Sequence, residues 1–172
     1  NTIERDMWKW YETNVWYPID SLPDNCERKN GVGFSLKDQN GVWRGYVGLG
    51  TRTYPRNDLY EYRYELDDFT GTSGSAWIAR TQYGGSGSSK VITEAVAVAI
   101  TDEIAIIAGG QDGNGNLSND FYTFQASFDG GVWSYLPASF PGDARANAVG
   151  FALNYERDGE NYTRFYHCTG RG

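Results

Sequence analysis

Residues 94–137 read EAVAVAITDEIAIIAGGQDGNGNLSNDFYTFQASFDGGVWSYLP. Four short apolar runs follow one another in this stretch. Residues 94–101 and 103–108 are rich in small and branched side chains, and the second run closes on Gly109-Gly110. After a polar loop, residues 119–126 alternate with aromatics. Beyond Asp129-Gly130-Gly131, residues 132–136 centre on Trp133. Runs of this length, rich in β-branched and aromatic residues and bounded by Gly, Asn and Asp, are strands, and tight turns between them make an antiparallel meander. One such sheet leaves two apolar faces uncovered, so it needs neighbours.

The chain supplies them by repetition. Two landmarks recur at intervals of about 50–60 residues. In the first, a small-apolar strand precedes a strand that ends in glycine. Val32-Gly33-Phe34 leads to Tyr46-Val47-Gly48-Leu49-Gly50, and Val96-Ala97-Val98 to Ile106-Ile107-Ala108-Gly109-Gly110. Val149-Gly150-Phe151 leads to Tyr166-His167-Cys168-Thr169-Gly170. In the second, an aspartate-led aromatic strand precedes a tryptophan. Asp6-Met7-Trp8 precedes Trp16, Asn57-Asp58-Leu59-Tyr60 precedes Trp77, and Asn119-Asp120-Phe121-Tyr122 precedes Trp133. The spacing places all three tryptophans in equivalent buried outer-strand positions.

These motifs resemble kelch repeats of the bacterial surface type, which read like ARxxAVGFxI…YVGTG…DFWxYD…W. Ala144-Arg145-Ala146-Asn147-Ala148-Val149-Gly150-Phe151 and Asn119-Asp120-Phe121-Tyr122 carry the likeness best, and it extends over essentially the whole chain. There are two departures. Gly48-Leu49-Gly50 stands where a diglycine is usual, and Ile92 where an arginine would sit. The resemblance implies an all-β, kelch-type β-propeller segment of four-stranded antiparallel blades. An unrelated β-sandwich would also show short aromatic strands, though without the ordered recurrence.

Aromatics at 16% and 22 glycines suit many short strands and tight turns. A net charge of −7 argues against nucleic-acid and anionic-membrane partners, which need basic patches. No apolar run approaches the ~20 residues of a bilayer span. No signal peptide is visible and the first residue is not Met, which reads as a processed or trimmed piece.

The organisation is a single segment, 1–172. Residues 1–22 form an outer half-blade with a hairpin at Asn14, residues 31–83 and 94–137 form blades, and residues 146–172 form an inner half-blade. Within the first blade, strands are expected over 58–66 and 75–83, joined by a hairpin at 67–74. The Gly/Ser-rich residues 84–90 read as a surface loop between blades. Two whole blades flanked by complementary halves suggest three arrangements: a fragment of a longer propeller, two copies closing one ring, or closure within the chain.

Reactive chemistry finds little support. His167 is the sole histidine, and a zinc site wants several ligands. Cys26 and Cys168 pair only if the chain ends meet. Asp112-Gly113-Asn114-Gly115-Asn116 has oxygen ligands at alternate positions, as a calcium loop begins, but Asn and Gly are also what a tight turn needs. No nucleophile–base motif is present, and the carboxylates read as turn and solvated residues. The copper radical chemistry of some kelch propellers needs a Tyr-Cys-His cluster that one histidine does not support. The expectation is no catalytic residues, no metal and no cofactor.

What remains is a binding surface built from the loops after second strands and between blades. Arg52, Tyr54 and Arg56 in one loop, Gln111, Asp112 and Asn114 in the next, and Arg28 and Arg145 at equivalent repeat positions are the candidate ligand-binding residues. Arg and Tyr are favoured interface anchors, although both repeat arginines could equally pair with neighbouring carboxylates. The expected function is a non-enzymatic scaffold presenting loops to a protein or glycan partner. The alternatives are a structural subunit of a larger cell-surface assembly and an enzyme of unidentified chemistry. The resemblance implies an extracytoplasmic place, at the bacterial surface or in the periplasm.

Overall fold

The computed structural model describes residues 3–11, 14–67, 75–127, 129–137 and 140–172. Among these lie twelve strands and one 3-10 turn. β1 (Met7–Tyr11) and β2 (Val15–Ile19) form a hairpin. β3 (Val32–Lys37), β4 (Trp43–Gly48), β5 (Leu59–Tyr62) and β6 (Trp77–Arg80) form one four-stranded antiparallel sheet in chain order. β7 (Val96–Ala99), β8 (Ile104–Ala108), β9 (Phe121–Gln125) and β10 (Val132–Leu136) form the second. β11 (Val149–Arg157) and β12 (Glu160–Cys168) pair alone.

The core lies between sheets. Leu36, Tyr46 and Leu59 of one meander meet Ile107, Tyr122 and Phe124 of the next. Met7, Leu22 and Cys26 cover Trp77, while Ile106 and Phe121 meet Phe140 and Phe165. The alternation of strand side chains sends one set to each neighbouring sheet, so every sheet is buried on both faces except at the two ends.

The repeat register is visible in the backbone. Lys29 bridges Thr51, Thr93 bridges Gln111 and Ala146 bridges Arg171. Inside these bridges sit Gly50, Gly110 and Gly170, with φ of 80°, 99° and 100°. A Cβ at Gly110 would lie 2.7 Å from the Thr93 carbonyl oxygen. The residue before each glycine, Leu49, Gly109 or Thr169, is also left-handed. Leu49 therefore occupies the first glycine position of the diglycine; its side chain is buried in the core. Between sheets, the Gly50 N–H donates to Ile92 O at 3.0 Å and the Gly110 N–H to Arg145 O at 2.8 Å.

The expected strand 58–66 ends at Tyr62. Beyond the Tyr62–Trp77 pair the ladder stops, and Tyr64–Leu66 turn into a 3-10 helix whose Glu65 binds Arg44 at 2.6 Å. The strand expected over 75–83 is confined to Trp77–Arg80. Of the expected hairpin 67–74, residues 68–74 lie outside the described residues. The tryptophans are not equivalent in burial. Trp77 is 6% exposed and Trp133 half-buried, but Trp16 is 61% exposed. The reason is the packing rule of the repeat. The Trp77 indole donates to Asp20 O and the Trp133 indole to Thr81 O, each at 2.8 Å, on the segment leaving the preceding sheet. Among the described residues Trp16 has no such carbonyl partner.

Candidate binding cleft

Arg28 and Arg145 make the same bonds from the same repeat position. Arg28 Nε donates to Cys26 O at 3.1 Å and Nη1 to Leu49 O at 3.2 Å. Arg145 donates to Asp143 O and Thr169 O, both at 3.1 Å. Each arginine thus ties its inter-sheet segment to the left-handed residue before the repeat glycine. Arg28 also grips Asp58 at 2.8 and 3.2 Å, and Arg56 Nε binds the same carboxylate at 3.0 Å. Of the other candidates in that loop, Arg52 pairs with Glu27 at 3.0 Å, and Tyr54 stands 77% exposed.

The second sheet differs at both arginine positions. By register, Ile92 stands for Arg28, Ser118 for Arg56 and Asp120 for Asp58. With both guanidinium groups gone, the Asp120 carboxylate is left, among the described residues, with Lys90 Nζ at 3.5 Å and the Tyr135 hydroxyl at 3.4 Å. A cleft of about 680 Å³ lies here, between the inter-sheet segment and the loop after β8. Ile92 and Ser118 line it, with Tyr83, Lys90, Asp112, Asn114, Asn119 and Asp120 among the rest. That volume lies within the usual range of small-ligand sites.

The walls are stiff. The loop after β4 closes on a Thr51–Pro55 bridge, and its counterpart on a longer Gln111–Leu117 bridge. Asp112 Oδ1 accepts the Asn114 and Asn116 N–H groups at 2.8 Å, and Oδ2 accepts Asn116 Nδ2 at 3.0 Å. These bonds hold the Asp112 carboxyl below the usual carboxylate range. Among the described residues no three His, Cys, Asp or Glu side chains gather into one group. Gln111 Nε2 donates to Gly115 O at 2.7 Å, within the same loop. The Tyr122 hydroxyl beside Lys90, with Asp120 behind it, keeps that ammonium charged, with its Nζ 5.1 Å from the Tyr122 ring centroid.

Asp112 and Asn114 therefore share the cleft. Arg28 and Arg56 meet at Asp58, away from it, and Arg145 serves the next inter-sheet segment. Lys90, Ser118 and Asp120 were not singled out in the sequence. Their signal was the paired loss of arginine at 92 and 118, visible only once the repeats are set in register.

Cys26 and Cys168 are both unpaired. Cys26 Sγ lies 3.1 Å from the Tyr60 hydroxyl, whose pKa is pushed up to about 12 by burial and by this contact. His167 stands where Val47 and Ile107 stand in the earlier sheets, with Phe121, Phe140 and Phe165 around it.

In structure the chain is similar to YjhT, with a TM-score of 0.59 and 14% identity. The match covers 85% of this chain and 47% of that one, so this chain spans about half the length of that one. No family model and no curated protein matches the chain. At this identity the likeness is one of fold, and the fold is a β-propeller segment of blade-like four-stranded sheets.

Proposed function

We propose that this chain is a non-enzymatic binding scaffold of kelch type, displayed outside the bacterial cytoplasm, whose inter-blade cleft holds a protein or glycan partner. The observation that carries this reading is the cleft itself. Two arginines that close the same place in the preceding blade are replaced by Ile92 and Ser118, and the opened walls are held by their own hydrogen bonds. A rigid wall lowers the ordering cost of binding. The kelch resemblance of the repeats supports the placement at the cell surface. The test is a surface-binding screen against peptide and glycan panels, comparing the natural chain with Ser89→Trp, which fills the cleft from an exposed position. Binding that Ser89→Trp abolishes supports the scaffold; no binding from either panel sinks it.

A second reading, a structural subunit of a larger assembly, is favoured by the exposed aromatics at both ends. Trp8, Trp10, Trp16 and Tyr17 face outward on β1–β2, and Phe151, Tyr162 and Tyr166 on β11–β12. In both readings no helix among the described residues is long and apolar enough to cross a membrane.

A further inference from the structure

We infer that two copies of this chain complete each other's half-blades and close one ring. This goes beyond the scaffold reading and does not rest on it. β11–β12 has the form of the first two strands of a blade and β1–β2 of the last two, and within one copy they are separate sheets. In register, each end lacks what the other carries. The Gly50 and Gly110 N–H groups donate to Ile92 O and Arg145 O. The residue at that repeat position for Gly170 is the partner's Arg28. The Trp77 and Trp133 indoles donate to Asp20 O and Thr81 O. By the same register the acceptor for Trp16 is the partner's Pro137, and both residues are exposed. β4–β5 sets Val47 opposite Tyr60, and β8–β9 sets Ile107 opposite Tyr122. β12 then pairs along the partner's β1 with His167 opposite Trp8 and Cys168 opposite Met7.

The charge pattern points to this same sequence as the occupant. Arg28 grips Asp58 across the first sheet at 2.8 and 3.2 Å. The second sheet has lost that pair, with Ile92 and Asp120 at the two positions. The ends keep both members. Arg145 repeats the backbone bonds of Arg28 but meets no carboxylate among the described residues. Asp6, exposed before β1, stands at the Asp58 position; its Oδ2 accepts the Trp8 indole N–H at 2.6 Å, which leaves Oδ1 for a guanidinium. A repeat that can lose the pair has thus kept its two members at opposite ends, where a head-to-tail contact unites them. Two whole blades and two halves make three blades per copy and six per pair. Six lies inside the range of about four to eight usual for propeller rings, whereas closure of one copy on itself gives three. The two junctions are equivalent, as a closed pair requires.

The experiment measures the mass of the 172-residue chain by sedimentation across a range of concentrations, and oxidises a Met7→Cys variant mildly. Residues opposed in antiparallel strands have Cα atoms about 4.5–5.5 Å apart, within disulfide reach. The expected result is twice the chain mass, with a covalent dimer from Met7→Cys that a further Cys168→Ser prevents. Asp6→Lys sets like charges at both junctions and is expected to weaken dimerisation at least about tenfold. A monomer whose end hairpins exchange quickly leaves them to other polypeptide and overturns the inference. A monomer that crosslinks within one chain also overturns it, since the chain then closes on itself. So does a mass that grows past two copies, the sign of an open head-to-tail series. A dimer that Met7→Cys does not trap and Asp6→Lys does not weaken pairs through another surface, and equally overturns it.

Discussion

At the scale of single residues, the repeat shows what a side chain does by comparing it with its counterparts. Trp77 and Trp16 share a repeat position, but only Trp77 reaches the carbonyl of a preceding segment. Trp77→Ala is therefore expected to cost about 4 kcal/mol, as for a buried aromatic cavity. Trp16→Ala should change stability by less than about 0.5 kcal/mol. Chemical denaturation of the two variants checks this, and equal losses would show that the indoles are equivalent after all. Glu61 makes a related point with charge. Burial alone would raise its pKa, but Arg80, Arg63 and the Tyr46 hydroxyl hold it below the usual range. Its stabilisation is present above the unfolded carboxylate pKa and is lost as pH falls through the folded one. Glu61→Gln leaves Arg80 buried without its counter-charge and is expected to cost about 3 kcal/mol.

At the scale of elements, the left-handed corner after each second strand fixes how one blade passes to the next. Gly110 and Gly115 both have positive φ, so alanine at either carries a similar backbone penalty of about 1 kcal/mol. Only Gly110 also meets Thr93 O, Ile92 and Ala95. Gly110→Ala should thus lower the thermal midpoint clearly more than Gly115→Ala; equal effects would mean the corner is not tightly packed. β12 carries a different device. His167 fills an apolar register position with neither ring nitrogen partnered among the described residues. Burial, then the Arg145 charge, depress its pKa. A depressed histidine contributes stability above its unfolded pKa of about 6.5 and loses it as pH falls below that value. Acidification from neutrality is expected to lower the hydrogen-exchange protection factors of β11–β12, corrected for the intrinsic pH dependence of exchange, before those of the other sheets, and His167→Leu to remove that dependence. The strands, the corner glycines and the matching Arg28 and Arg145 were legible in the sequence, because each depends on local spacing and turn chemistry. The end of β5 and the exposure of Trp16 were not, because each is set by whether a partner strand or sheet is present. The cleft was half legible: Ile92 stood out as a departure, but its meaning needed Ser118 and Asp120 beside it.

At the scale of the whole molecule, the same bonds form a series whose members run out at both ends. The Glu94 N–H donates to Asn30 O at 3.0 Å and the Asn147 N–H to Glu94 O at 2.9 Å, linking three left-handed residues at the starts of β3, β7 and β11. The Gly50 and Gly110 N–H groups each find the next inter-blade segment. β11–β12 has the form of the first two strands of a blade and β1–β2 of the last two. A lone two-stranded hairpin is marginal in water, and its free edge is a template for pairing. Other polypeptide, whether further chain or a second copy, is therefore expected to complete both ends. Sedimentation of the 172-residue chain across a range of concentrations, read with hydrogen exchange, tests this. The expected outcome is either reversible association that slows exchange along the free edge of β12, or a monomer whose β1–β2 and β11–β12 amides exchange far faster than those of the two four-stranded sheets. A monomer with both end hairpins as protected as those sheets would mean that the chain closes on itself, and that the aromatic surface at its ends is covered from within.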